Sequence, residues 1–248
     1  MSAHGATPAP RPTAERRRDG SVEDAPIAEH HLTVSRTARY ATLGDPDGPF
    51  DQIWFVCHGY RQLAARFIRR FLPLADGTRL IVAPEALNRF YVGDPDGVHG
   101  PGTRVGGTWM TREDRQAEID DYVRYLDALH AHILAQVDLN AVREIVALGF
   151  SQGAATAARW AALGQAHLDR LILWGAGPPP DLDLESAAER LRGLRLTRVA
   201  GAADAGDGPA AAARDAERLR EHGIPLRVIT FPGGHRLDVG VLAELAKG

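Results

Sequence analysis

Five consecutive residues, Gly149-Phe150-Ser151-Gln152-Gly153, have the types and spacing to make a serine hydroxyl into a nucleophile. An apolar run, Ile145-Val146-Ala147-Leu148, precedes them, and an alanine-rich run, Ala154 to Leu163, follows. That reads as strand, sharp turn and helix. A serine on such a turn stands clear of the sheet, and glycines on either side let strand and helix approach closely. With five serines and 26 glycines in 248 residues, the pattern is expected by chance about 0.05 times, so the flanking strand and helix carry the reading. The bland alternative is a glycine-rich turn with a solvated serine.

A serine hydroxyl attacks a carbonyl only when a neighbouring base takes its proton, and histidine suits that role near neutral pH. On a strand–turn–helix nucleophile the chain order is serine, acid, histidine. Of ten histidines, only His167, His222 and His235 follow Ser151. His167 stands at a helix end on the wrong edge of the sheet. His222 precedes Gly223 at a helix C-terminus, where the dipole favours a cation. His235, in Pro232-Gly233-Gly234-His235 after the last strand, can turn back over the strand ends and is the expected base.

The acid must be a loop carboxylate that fixes the imidazole tautomer and stabilises the imidazolium. Asp204 and Asp207 follow one strand; Asp181 and Asp183 follow the strand before it. Asp204 is nearest its strand end and is favoured, with Asp207 as its rival. The oxyanion formed on attack needs preplaced donors. The Gln152 N–H, at a helix N-terminus, supplies one. The second falls to the Tyr60 N–H in His58-Gly59-Tyr60, a loop that His58 orders. No metal site is expected: there is no His-Glu-x-x-His, His130 and His132 do not face one another on a helix, and His30 and His31 point to opposite sides of a strand. No Walker loop is present.

These groups must be positioned by a framework, and its outline is legible. Ile53 to Cys57, Leu80 to Ala83, Ile145 to Leu148 and Leu171 to Trp174 are continuous apolar runs, as in strands buried on both faces. Leu194 to Ala200 and Leu226 to Phe231 complete the set. Residues 27 to 42 suggest one or two antiparallel edge strands. Helices are expected over about 62–72, 112–137, 154–163, 209–221 and 239–245. Strands alternating with helices give a mostly parallel sheet covered on both faces, an α/β fold. A long connection, Glu85 to about Thr111, carries six glycines with Phe90, Tyr91 and Trp109. A connection of that length is usually functional, and these three aromatics are expected to form the acyl-side wall of a substrate site.

Residues 1–27 hold almost no large apolar residues and are expected to be a disordered tail, with 28–248 as a single domain. Hydrophobic content of 44% and charged content of 25% are ordinary for a globular protein. A net charge of −3 gives no bulk attraction to nucleic acid or an anionic membrane. The lone Cys57 forms no internal disulfide. No stretch is apolar enough to span a bilayer or to form a secretory h-region, and the expected location is cytoplasmic.

Taken together, the nucleophile box, His58-Gly59, Gly201-Ala202-Ala203-Asp204 and Gly233-Gly234-His235 resemble the α/β-hydrolase superfamily. Within it they resemble the small phospholipase/carboxylesterase family that includes acyl-protein thioesterases. The resemblance runs from about Ile53 to Leu245, and Trp109-Met110 loosely matches a family tryptophan near the substrate. It implies an α/β-hydrolase fold without a large cap domain, a Ser151–Asp204–His235 triad and no cofactor. The implied activity is hydrolysis of small or medium acyl esters or thioesters through an acyl-enzyme. Two other readings stand beside it: a non-catalytic binding protein on the same fold, and a serine peptidase or amidase.

Overall fold

Each central strand carries two sets of apolar side chains, and the fold sends them to two different cores. Ile53, Phe55 and Cys57 join Leu80, Val82, Ile145, Ala147, Leu171 and Leu173 on one face of the sheet. Trp54 and Val56 join Ile81, Ala83, Val146, Leu148, Ile172 and Trp174 on the other. Alternation along a strand does this automatically, and it explains why the runs are apolar throughout. The computed structural model describes residues 28–93 and 97–247; the expected tail, residues 1–27, lies outside them. Residues 37–248 cluster as one unit and those up to 36 as another. The described part of the latter, 28–36, holds no helix or strand.

The main sheet has seven strands. They are β1 (Tyr40–Leu43), β2 (Gln52–Cys57), β3 (Arg79–Pro84), β6 (Glu144–Phe150), β7 (Arg170–Trp174), β8 (Arg195–Gly201) and β9 (Leu226–Phe231). Their order is β1-β3-β2-β6-β7-β8-β9. Only β1 is antiparallel; Tyr40 pairs with Pro84 and Leu43 with Ile81. The expected edge strand is therefore present but starts thirteen residues later than its earliest expected start. The nucleophile strand, β6, lies between β2 and β7, and all seven of its residues are buried.

Helices α2 (Arg115–Leu134), α3 (Gln152–Leu163), α4 (Leu184–Arg192) and α5 (Pro209–Glu221) send side chains into the first core. Helix α1 (Ala64–Phe67) continues as a 3₁₀ turn, Ile68–Leu74, with Pro73 inside it. With α6 (Val239–Leu245) it covers the second core. Ala154, Ala157, Ala158 and Ala161 of α3 are all buried, so the small side chains let this helix lie close to the sheet. Two further elements are additional to the sequence reading. Helix α4 was not anticipated; Asp183 caps it by accepting from the Ser186 N–H at 3.2 Å, and Leu184, Ala187, Ala188 and Leu191 form its buried stripe. The Glu85–Thr111 connection contains a hairpin, β4 (Asn88–Tyr91) against β5 (Val105–Thr108). No large cap covers the sheet among the described residues, and no described helix is long and apolar enough to cross a membrane.

Candidate active site

Ser151 sits between β6 and α3 at φ 56°, ψ −121°. A non-glycine residue held there is strained, at a cost on the order of 1–3 kcal/mol, and persists only where surrounding structure enforces it. The enforcement is visible. The Ser151 N–H donates to the Trp174 carbonyl at 2.8 Å, and the Ala154 N–H donates back to the Ser151 carbonyl at 2.9 Å. A Cβ on Gly149 would lie 2.1 Å from the Gly153 oxygen, and one on Gly153 would lie 2.2 Å from the Cys57 oxygen. Both glycines of the box are thus needed for backbone contact, as its pattern suggests. Ser151 itself is half-buried.

The pairing of β8 with β9 continues beyond the strand ends and brings the acid to the imidazole. The Ala202 N–H donates to the Phe231 carbonyl at 2.9 Å and the Ala203 N–H to the Gly233 carbonyl at 2.8 Å. The next residues on the two loops are Asp204 and the turn into His235. Asp204 Oδ2 meets His235 Nδ1 at 2.6 Å. Its other oxygen accepts from the Gly206 and Asp207 N–H groups, each at 3.2 Å. Burial opposes ionisation of Asp204, but the bond and charge of His235 and the two backbone donors hold its pKa below the ordinary carboxylate value.

Asp207 stands elsewhere. It pairs with the fully buried Arg198, which also reaches Asp215 at 3.0 Å. Burial pushes the Asp207 carboxyl up, more than Arg198 draws it down. Asp181 binds Arg115 and Arg159, and Asp183 caps α4. Of the four candidate acids, Asp204 is the one against the ring.

His235 lies beside the nucleophile turn. Its ring packs on Phe150, the residue before Ser151, with centroids 5.0 Å apart. A Cβ on Gly175, which follows the residue that accepts from the Ser151 N–H, would lie 3.0 Å from His235 Cε1. Gly175 therefore makes room for the imidazole. The Trp174 indole fastens the loop by donating to the Arg236 carbonyl at 2.9 Å. The other two downstream histidines are apart: His167 pairs with Asp169, and His222 with Glu185.

The loop after β2 supplies the other side. Gly59 packs against the nucleophile, since a Cβ there would lie 3.2 Å from Ser151 Cβ. Its N–H is committed to Gln62 Oε1 at 2.8 Å, and the Arg61 N–H to the Gly107 carbonyl at 2.9 Å. Between them the Tyr60 N–H has no acceptor among the described residues, and neither has the Gln152 N–H at the start of α3. His58 orders this loop as expected. It is fully buried, with Nδ1 against the Gly59 carbonyl at 2.9 Å and Nε2 accepting from the Ala86 N–H at 3.1 Å. Burial holds its pKa down, against the pull of the Gly59 carbonyl and the Glu85 charge.

The three aromatics of the long connection separate. Phe90 stacks on the half-exposed Tyr60 with centroids 5.3 Å apart. Tyr91 points to the opposite face of the hairpin and stacks on His99 at 4.3 Å. Trp109 is only 2% exposed and donates from its indole to the His58 carbonyl at 2.7 Å. It underlies the His58–Tyr60 loop and does not form a free wall, a correction to its expected place. Trp109→Ala should therefore cost about 3–5 kcal/mol of stability, as for other buried aromatics. A lowered denaturant midpoint with an unchanged ranking of acyl lengths is the expected result.

Several contacts that sequence reasoning missed hold the site. Gln62 fixes Gly59. The Gln152 side chain accepts from the Trp109 N–H at 3.1 Å and donates to the Met110 carbonyl at 2.9 Å. Arg198 and Asp207 anchor the acid loop. Only Gly175, a glycine ending a buried strand, had a local signal.

No protein-family model matches the sequence, and none of the curated proteins matches it. Solved structures do. Acyl-protein thioesterase 2 from Zea mays is 17% identical with a TM-score of 0.64, covering 85% of this chain and 97% of its own. A carboxylesterase from Mesorhizobium loti is 21% identical at 0.61, covering 85% and 95%. A phospholipase/carboxylesterase from Dyadobacter fermentans is 16% identical at 0.59, covering 88% and 100%. The chain thus has the α/β-hydrolase fold of these proteins, a mostly parallel seven-stranded sheet without a large cap.

Proposed function

We propose that this protein is a serine hydrolase of small or medium carboxylic esters or thioesters. The observation that carries the reading is the 2.6 Å contact of Asp204 with His235, on a ring packed against the strained Ser151 turn. The esterase and thioesterase activities named for the structural neighbours support it.

In the proposed reaction His235 Nε2 accepts the Ser151 proton as Oγ attacks the ester carbonyl. Asp204 accepts from Nδ1–H and stabilises the imidazolium; its depressed pKa keeps it ionised where imidazole titrates. The carbonyl oxygen takes up the negative charge and receives the Tyr60 and Gln152 N–H groups. Each such donor is worth about 2.7–4 kcal/mol of barrier. The tetrahedral intermediate collapses to an acyl-serine, and the leaving alcohol or thiol takes the proton from the imidazolium. Water, deprotonated by His235, attacks the acyl-serine, releasing the acid and restoring Ser151. No step requires a cofactor or metal. The exposed Tyr60 and the half-buried Phe90 stacked on it offer an apolar surface for the acyl chain.

Hydrolysis of p-nitrophenyl butyrate beside the matched p-nitroanilide tests this reading. Ester turnover well above anilide turnover is expected. Faster anilide cleavage would assign a peptidase or amidase, and loss of neither substrate would assign a binding protein.

A further inference from the structure

Arginine is concentrated on one side of the Tyr60 loop without carboxylates to match among the described residues. A cavity of about 390 Å³ is lined there by Tyr60, Arg61, Arg66, Arg70, Arg104 and Phe67, among others, and no acidic residue lines it among the described residues. All four arginines are exposed. None forms an ion pair among the described residues, whereas Arg39, Arg89, Arg115 and Arg124, also at the surface, each do. Four guanidinium groups around one concavity repel one another, and an anion relieves that repulsion. Arg forks suit carboxylate and phosphate oxygens, which accept two parallel hydrogen bonds.

The cavity adjoins the chemistry. Tyr60, whose N–H is the proposed oxyanion donor, forms part of its wall. Phe67 forms another part and stacks on Phe150 at 6.2 Å, and Phe150 touches His235. The backbone that carries Arg61 is held in an unusual conformation, φ 65°. Two hydrogen bonds of 2.9 Å pin it to the β4–β5 hairpin: the Arg61 N–H to the Gly107 carbonyl, and the Gly107 N–H to the Gln62 carbonyl. A Cβ on Gly106 would fall 2.7 Å from Arg61 Cα, so the hairpin is shaped to meet this residue. A strained, pinned arginine beside an unpaired arginine cluster is a feature that needs a function.

We infer that the cavity is an anion subsite, and that the preferred substrates are esters carrying a carboxylate or phosphate group. The inference rests on the ester-hydrolase reading above. The anion sits among Arg61, Arg66, Arg70 and Arg104 and anchors the substrate while its carbonyl reaches Ser151. This binding energy acts in the ground state and the transition state alike, so the preference falls mainly on KM.

Two substrate pairs test it, each differing by the anion alone. Mono-p-nitrophenyl succinate against p-nitrophenyl butyrate puts a carboxylate on the acyl side. 1-Butyryl-glycerol 3-phosphate against 1-butyrylglycerol puts a phosphate on the alcohol side. After subtraction of spontaneous hydrolysis, at least one anionic ester should exceed its neutral partner in kcat/KM by about 10- to 100-fold at low salt. That range is expected for one or two charge-assisted hydrogen bonds. The preference should shrink as ionic strength rises. In the full chain carrying Arg66→Gln, Arg70→Gln and Arg104→Gln together, the ratio should fall towards one. Arg214→Gln, on the outer surface of α5, should leave it unchanged.

Ratios near one for both pairs in the wild type, or a preference that survives the triple substitution, would overturn the inference. Should no ester turn over at all, the hydrolase reading fails. Calorimetric titration with glycerol 3-phosphate then decides the subsite: saturable binding lost in the triple variant supports it, and absence of binding refutes it. The same titration serves if the triple variant does not fold, with abolition of wild-type binding by 1 M-scale salt as the supporting result and salt-insensitive or absent binding as the opposing one.

Discussion

Ser151→Ala should lower kcat for p-nitrophenyl butyrate by roughly 10⁴- to 10⁶-fold, the range seen when a catalytic serine is removed. The substitution takes away one oxygen and leaves the backbone constraints in place. The Trp174 carbonyl still accepts from residue 151, and Gly149 and Gly153 still admit the turn. Stability should change little, so circular dichroism and the denaturant midpoint separate lost chemistry from lost fold. In the proposed mechanism, the residual rate is what the Tyr60 and Gln152 N–H groups achieve without a nucleophile. A variant that keeps more than about a tenth of wild-type turnover would remove Ser151 from the mechanism.

Asp204→Asn should cost about 10⁴-fold in kcat, because an amide at this position favours the wrong imidazole tautomer. Asp207→Asn should stay within about tenfold of wild type in kcat. The contrast follows from position. Asp204 contacts His235, while Asp207 contacts Arg198. Asp207→Asn weakens one of the two carboxylate contacts of the fully buried Arg198, whose partner Asp215 remains, and its main effect should be on stability, a loss of about 1–3 kcal/mol. Opposite signatures in the two variants, one kinetic and one thermodynamic, are the expected pattern. The reverse pattern would move the acid role to Asp207.

The legible parts of this molecule were those fixed by local pattern. The buried strands announced themselves because both faces are covered, and α5 and α6 have the boundaries that their proline start and apolar spacing suggest. The turns that carry Ser151 and His235 were legible because glycines mark turns at strand ends. The β4–β5 hairpin is hidden in the sequence because its second strand contains Gly106 and Gly107, poor strand formers that are required by contact with Arg61 and His58. Helix α4 is encoded by Asp183 and the Leu184–Leu191 stripe, but that stripe is short and follows three consecutive prolines, Pro178 to Pro180. The choice between Asp204 and Asp207 was not local at all. It depends on β8–β9 pairing carried past the strand ends and on Arg198, a buried charge inside a strand. Trp109 was assigned by composition, and composition cannot distinguish an aromatic that lines a cleft from one that supports its floor.

The central claim is that Ser151 is activated by an imidazole that Asp204 holds in place. Its most direct test is covalent labelling with a fluorophosphonate, followed by peptide mass spectrometry of the wild type and of His235→Gln. The account predicts one stoichiometric adduct, on Ser151, formed rapidly in the wild type and slowed by orders of magnitude in His235→Gln. An adduct on another residue, or labelling of Ser151 at the same rate without His235, would contradict it.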